Sequence, residues 1–366
     1  MSVNTASLFC NLVRMPSPSG KELNVAKFIK AYLKKSGMDS YFDGSGKKVN
    51  SSSGNLILEL NGTGPTVMFV SHIDTVETGD SRITPIIKGG KIISGGDTIL
   101  GVDNKAAVAA LISALVELKK DRNHSNIVAV FSVREENGVM GIKYLKPRRH
   151  IDYAFIIDGS MPVGTFMTKA LGQTPFEIEL NGKQVHSAWA EDGINAMKAA
   201  GIIISRKRLG RHHDGSYVNI SGVKSDAQIN IVPGRTSLLG EVRGFTDRSI
   251  SMRFSEIEKA SKEACRLTGS TYSIIKKRSE GAPPFNMRSN TGILDIAKKA
   301  ANNSGVEFKT GEVKGTTEAN MLSKSGYPVI IMSRGGSMPH SNSESIRIEE
   351  LDKLKELIIS ISRCAK

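Results

Sequence analysis

Two hydrophobic rhythms run through this chain. Val25, Phe28, Ile29, Tyr32 and Leu33 recur at helical spacing, and Gly37 stands behind them as a stop. After a polar connection rich in Gly and Ser at 43–54, residues 55–60 read as a strand, Gly62-Thr63-Gly64-Pro65 as a turn, and 67–70 as the next strand, so that 67–70 follows a hairpin-like turn. Asp103 opens a long helix with Ala107, Ala110, Leu111, Ala114, Leu115 and Leu118 on one face. Residues 127–133 and 153–157 are nearly continuous apolar runs, the pattern of a sheet covered on both faces.

From about Leu171 the rhythm changes. An alternating strand (Phe176, Ile178, Leu180) precedes a helix bearing Ile194, Met197, Gly201 and Ile204, and strands are expected near 217–220, 228–231 and 238–243. A helix with Ile250, Phe254, Ile257 and Ala264 and a strand at 271–275 complete a β-α-β-β-α-β pattern the size of a small domain. The buried style then returns, with a helix at Ile293, Ile296, Ala297 and Ala300, a strand at 329–332, and a terminal helix at Leu351, Leu354, Leu357, Ile358 and Ile361. The middle pattern therefore reads as an insertion. No internal repeat or low-complexity tract is evident.

A length of 366 residues favours two domains, or three, and 39% hydrophobic with 23% charged residues fits a globular protein. The formal charge of +14 (50 basic minus 36 acidic residues) would favour polyanions. The basic residues are spread along the chain without a zinc-finger or RNP fingerprint, so nucleic acid is not the expected partner. Cys10, Cys265 and Cys364 are odd in number and widely spaced, which suggests neither a disulfide framework nor a thiolate zinc site and suits a reducing cytoplasm. No signal-peptide pattern and no run approaching the ~18 apolar residues of a membrane span is present, so a cytoplasmic protein is expected.

The chemistry gathers at the ends of the apolar strands. His72 and Asp74 close the strand at 67–70, Glu135 and Glu136 follow 127–133, Asp158 follows 153–157, Asp103 begins a helix, and His340 follows 329–332. Strand carboxyl ends form the ligand crevice of an open α/β sheet. Imidazoles and carboxylates without thiolate suit a hydrolytic zinc, cobalt or manganese site better than a structural one, and three carboxylates with two imidazoles suit two divalent ions. Each residue has a plain alternative: Asp103 as a helix cap, Asp158 as a turn residue, Glu135-Glu136 as a solvated pair, and His72-x-Asp74 as an ordinary strand end. His124, His150, His212 and His213 are expected at the surface.

The order Ser71-His72-Ile73-Asp74, Gly101-Val102-Asp103-Asn104-Lys105, Glu135-Glu136, Ile157-Asp158-Gly159 and Pro339-His340-Ser341 resembles the M20 family of co-catalytic zinc peptidases over nearly the whole chain, nearest its peptidase T-like branch. The resemblance implies an α/β catalytic domain of the zinc-exopeptidase kind, a mixed sheet flanked by helices at 1–170 and 282–366. A ferredoxin-like α+β lid or dimerisation domain at 171–281 would interrupt it. His72, Asp103 and Asp158 would hold one zinc and Asp103, Glu136 and His340 the other, with Asp103 bridging, Asp74 orienting His72 and Glu135 acting as general base on a water shared by the metals.

Three inserted-domain positions match substrate-binding ones. His186 lies in Gly182-Lys183-Gln184-Val185-His186, where a loop histidine capping the following helix is the alternative. Asn230 lies in Asn-Ile-Val-Pro-Gly, and Arg243 is either a carboxylate clamp or a strand-end surface charge. Gly315-Thr316-Thr317-Glu318-Ala319-Asn320 departs from the family's usual Ser/Thr-Asp pair, and Met338-Pro339 is an unusual approach to His340. The implied activity is a dinuclear-zinc aminopeptidase acting on short peptides, Asp at 158 resembling aminopeptidase members, with a homodimer through the lid. An amidohydrolase removing acyl groups from amino acids and a non-catalytic metal-dependent binding protein are the alternatives.

Overall fold

The computed structural model describes residues 4–77, 82–225, 227–287 and 292–366. The chain forms two compact units: Met1–Lys169, Asn286–Val313 and Thr317–Lys366 make the first, Ala170–Phe285 and Lys314–Thr316 the second.

The first unit is built on a mixed sheet in the order Ser40–Phe42, Leu56–Leu60, Asn126–Ser132, Thr66–His72, Tyr153–Ile157, Val329–Met332, Thr165–Ala170. The four strands from Asn126–Ser132 to Val329–Met332 are mutually parallel, and the strands on either side of them join antiparallel. Every residue of Thr66–His72 is buried, as the continuous apolar pattern predicts for a strand covered on both faces. Helix Val102–Leu118 packs on that strand and against helices Thr5–Val13 and Ile348–Cys364. Its Ala106, Ala107, Ala109 and Ala110 are fully buried, small side chains that let a good helix former be covered on nearly every side.

Residues 55–60 and 67–70 are not hairpin partners, contrary to the turn-based expectation. Asn126–Ser132 lies between the two strands, and the turn passes over its start. Thr63 N donates to His124 O at 2.8 Å, Asn126 N to Pro65 O at 3.0 Å and Asn126 Nδ2 to Gly64 O at 2.7 Å. Carbonyls of His124 and Ser125 come so close that no side chain fits at Gly62. Helix Thr5–Val13, helix Ser45–Val49 and a small sheet of Pro85–Lys88, Lys91–Ser94 and Ser345–Arg347 have no counterpart in the sequence reading.

The second unit carries an antiparallel sheet in which Thr271–Lys276, Gly172–Asn181, Arg235–Gly244 and Tyr217–Lys224 lie side by side, the 4-1-3-2 order of a ferredoxin-like fold. Gly172–Asn181 alternates buried and half-buried positions, and Phe176, Ile178 and Leu180 enter a core shared with helices Ala196–Arg206 and Asp247–Thr268. Asn195 caps the first helix through Met197 N at 2.9 Å, so Ile194 lies outside it. Thr246 and Ser249 form a capping box on the second. The strand expected at 228–231 is a turn; only Ile231–Val232 is extended, paired with Val185–His186.

Candidate metal centre

Because the central strands run parallel, their carboxyl ends emerge along one edge. His72 is the last residue of Thr66–His72, Glu135 and Glu136 follow Asn126–Ser132 by three and four residues, and Asp158 directly follows Tyr153–Ile157. Asp103 stands at the start of Val102–Leu118 in extended rather than helical backbone, φ −81° and ψ 101°. Glu344 fixes that turn by accepting from Leu100 N at 2.9 Å, Gly101 N at 2.6 Å and Asp103 N at 3.0 Å. Gly101 has φ 78°, a left-handed conformation glycine adopts without penalty.

The side chains converge. His72 Nε2 lies 3.2 Å from Asp103 Oδ1 and 4.0 Å from Glu135 Oε2, while His340 Nε2 lies 3.3 Å from Asp103 Oδ2 and 3.0 Å from Glu136 Oε1. His72, Asp103 and Glu136 each offer a ligand atom within 4.8 Å of the others. Asp158 is half-buried next to them and accepts from Gly159 N at 2.5 Å. His72 Nδ1 is closer to the main-chain oxygen of Asp74, at 3.0 Å, than to its carboxylate, at 3.4 Å. Asp74 thus faces His72 Nδ1 with both its carbonyl and its carboxylate. The carboxylate also accepts from Glu135 N at 3.0 Å, Glu136 N at 3.1 Å and Ser19 Oγ at 2.6 Å.

Electrostatics shows a cluster short of positive charge. Burial raises Glu135 well above the ordinary carboxylate range, and Asp158, Glu136 and Glu318 add to the rise against the pull of His72. Burial and Asp103 likewise raise Asp158, and burial raises Glu136. Burial opposes ionisation of Asp103 too, yet Arg334, His340 and His72 hold it well below the usual range. His340 is pushed up to about 10 by its bonds to Asp103 and Glu136. Carboxylates that repel one another around two imidazoles, with no thiolate among them, fit a divalent cation by charge and by donor chemistry.

Arg334 and Glu344 lie outside the sequence reading, and Glu318 entered it only as a departure from the family pattern. Arg334, 1% exposed, places Nη2 2.8 Å from Asp103 Oδ2 and donates through Nη1 to Gly335 O at 3.0 Å and Ser160 Oγ at 3.2 Å. Glu318 is buried, and burial pushes it up to about 7. Arg334 and Glu344 stand in loops and carry no local mark of burial, so pattern could not single them out.

The second unit holds His186, Asn230 and Arg243. His186 is exposed, accepts from Ala188 N at 3.1 Å to cap the short helix Ser187–Asp192, and meets the Trp189 ring edge-on at 5.5 Å. Asn230 is exposed, its carbonyl taking Ser187 N at 2.9 Å. Arg243 grips Glu241 with Nε at 2.9 Å and Nη2 at 3.2 Å. Two histidines expected at the surface are buried because backbone carbonyls satisfy them: His124 Nδ1 meets Ser125 O at 2.7 Å, and His212 Nε2 meets Arg208 O at 3.2 Å.

The sequence model of Peptidase family M20/M25/M40 matches residues 68–363, most of the chain and all of the converging residues. The chain belongs to this family. It is accordingly a peptide or amide hydrolase of a metal-dependent kind. It is 29% identical over 358 residues to the uncharacterized protein YqjE of Bacillus subtilis (strain 168), covering 96% of each. Among solved structures it is similar to the aminopeptidase PepT of Bacillus cereus ATCC 10987, with 27% identity, a TM-score of 0.87 and coverage of 99% of this chain and 98% of that one. It is also similar to a tripeptidase of Staphylococcus aureus subsp. aureus mu50, with 27% identity, a TM-score of 0.90 and the same coverage. Among the described residues no helix is long and apolar enough to cross a membrane.

Proposed function

We propose that this peptidase is a dinuclear-zinc aminopeptidase of short peptides, with Glu135 as general base. The observation that carries the reading is the convergence of His72, Asp103, Glu136 and His340 beside a buried Glu135 that makes no bond to His340. The similarity to a PepT aminopeptidase and a tripeptidase supports the substrate class. His72, Asp103 and Asp158 would hold one ion and Asp103, Glu136 and His340 the other. When bound, two divalent cations, zinc with cobalt or manganese as alternatives, supply Lewis-acid polarisation and acidify water.

Glu135 then does what its environment prepares. A carboxylate whose proton affinity is raised by burial and by Asp158, Glu136 and Glu318 takes a proton from the attacking water and returns it to the leaving amine nitrogen. Asp74 keeps Glu135 in place through its amide. His186, Asn230 and Arg243 are proposed to bind substrate, Arg243 by exchanging Glu241 for a peptide carboxylate.

The test is a panel of di- and tripeptides with free or acetylated amino termini, assayed on protein whose metal content is measured in the same sample. Release of the amino-terminal residue from free peptides alone, with two metals per chain, is the expected result. Hydrolysis restricted to acetylated substrates would replace the aminopeptidase with an amino-acid deacylase.

A further inference from the structure

The segment Ser17-Pro18-Ser19-Gly20-Lys21-Glu22 is far from Glu135 in sequence and has no part in the metal ligand set, yet it is bonded to the same loops. Ser17 Oγ donates to Ile73 O at 2.8 Å, and Thr75 N to Ser17 O at 2.9 Å, so the segment lies along the His72–Asp74 turn. Ser19 Oγ donates to Asp74 Oδ2 at 2.6 Å. Glu22 is fully buried: its Oε1 accepts from Gly20 N at 2.6 Å and Arg134 N at 3.1 Å, and its Oε2 accepts from Ser51 Oγ at 2.6 Å. Three successive amides, those of Arg134, Glu135 and Glu136, are thus held by two buried carboxylates, Glu22 taking the first and Asp74 the other two. Arg134 needs such a hold, because its φ of 54° is left-handed in a non-glycine residue, and its Nη1 is tied to Asn50 O at 3.3 Å.

We propose that Glu22 and Ser19 are positioning residues for the general base: together with Asp74 they clamp the 134–136 backbone in the conformation that turns the Glu135 and Glu136 side chains toward His72 and His340. The proposal rests on the reading of Glu135 as general base. Glu22 works as an acceptor of N–H groups rather than as a charge. A glutamine keeps one oxygen for Gly20 N and Arg134 N, and the Ser51 hydroxyl can turn to accept from the new amide.

The experiment compares Glu22→Leu, Glu22→Gln and Ser19→Ala with wild type by steady-state kinetics per folded molecule and by hydrogen exchange of the 133–138 segment. Glu22→Leu should lower kcat about 10- to 100-fold with KM changed little, since small misplacement of a catalytic group has that cost, and should speed exchange at 134–136. Glu22→Gln should restore both. Ser19→Ala should lower kcat several-fold, and keeps the test open if Glu22→Leu does not fold. Equal losses in Glu22→Gln and Glu22→Leu, or unchanged kcat and exchange in Glu22→Leu and Ser19→Ala, would overturn the clamp. Should wild type hydrolyse no peptide, the functional reading fails, while exchange at 134–136 still decides whether the clamp exists.

Discussion

At the scale of single residues, the centre separates holding a metal from moving a proton. Glu136 and Glu135 are neighbours in sequence, but Glu136 Oε1 is bonded to His340 at 3.0 Å whereas Glu135 approaches His72 only to 4.0 Å. Glu135→Gln should therefore keep its metal by elemental analysis while kcat falls by about 10²–10⁴-fold, the usual contribution of a general base; a variant that loses metal instead would make Glu135 a ligand. Arg334 poses the opposite question, since its fixed charge sits 2.8 Å from Asp103 Oδ2. A resident cation disfavours a divalent ion nearby, so Arg334→Met should tighten zinc binding by about 1–2 kcal/mol, roughly tenfold in Kd, in chelator-competition titrations. Weaker binding would show that Arg334 chiefly orients Asp103. The substitution should also cost stability, because it leaves the buried Gly335 carbonyl without its donor.

At the scale of elements, hydrophobic period reveals that a strand exists but not which strand it joins. Residues 67–70 and 127–133 read correctly as buried strands, and the ligand types at their ends follow from that reading. The neighbour of 55–60 was hidden, because a turn rich in Gly and Pro can close a hairpin or carry the chain over another strand. Ile229 and Ile231 alternate like a strand, but Ile229 is fully exposed in a turn, so period misleads where nothing packs. His212 shows the same limit: a basic loop in sequence, it is buried with Nδ1 facing the Arg253 guanidinium and Nε2 on Arg208 O. Burial, then Arg253 and Lys207, lower its pKa below the ordinary 6.5. The unfolded chain then takes up a proton near 6.5 that the folded chain refuses. This stability is whole above that value and declines as pH falls below it. Glu318, raised to about 7, and the raised Glu135 and Asp158 act in the opposite sense, so the readout is a difference: the Tm of wild type minus that of His212→Gln should fall as pH drops from about 7.5 to 5. A difference that stays constant would place the acid sensitivity elsewhere.

At the scale of the molecule, the second unit begins at Ala170, beside the change of rhythm near Leu171, where a sheet with one covered face alternates and a sheet with two does not. The +14 charge carried no such information, since net charge speaks to association and solubility rather than to fold. All five residues proposed to hold metal, His72, Asp103, Glu136, Asp158 and His340, belong to the first unit. They come from widely separated stretches that meet only when the sheet and helix Val102–Leu118 are formed, so metal should bind the folded unit and not the unfolded chain. Zinc at about 100 times its Kd then contributes about 2.7 kcal/mol, which slows exchange through whole-unit opening about 100-fold. Hydrogen exchange of metal-free protein with and without zinc should show that slowing in helices Val102–Leu118 and Ile348–Cys364, and little change in Asp247–Thr268 of the second unit. Lowering the pH should weaken the effect, because His340, raised to about 10 in the metal-free chain, must release its proton to bind. Unchanged exchange in the first two helices would count against a metal centre built from these five side chains.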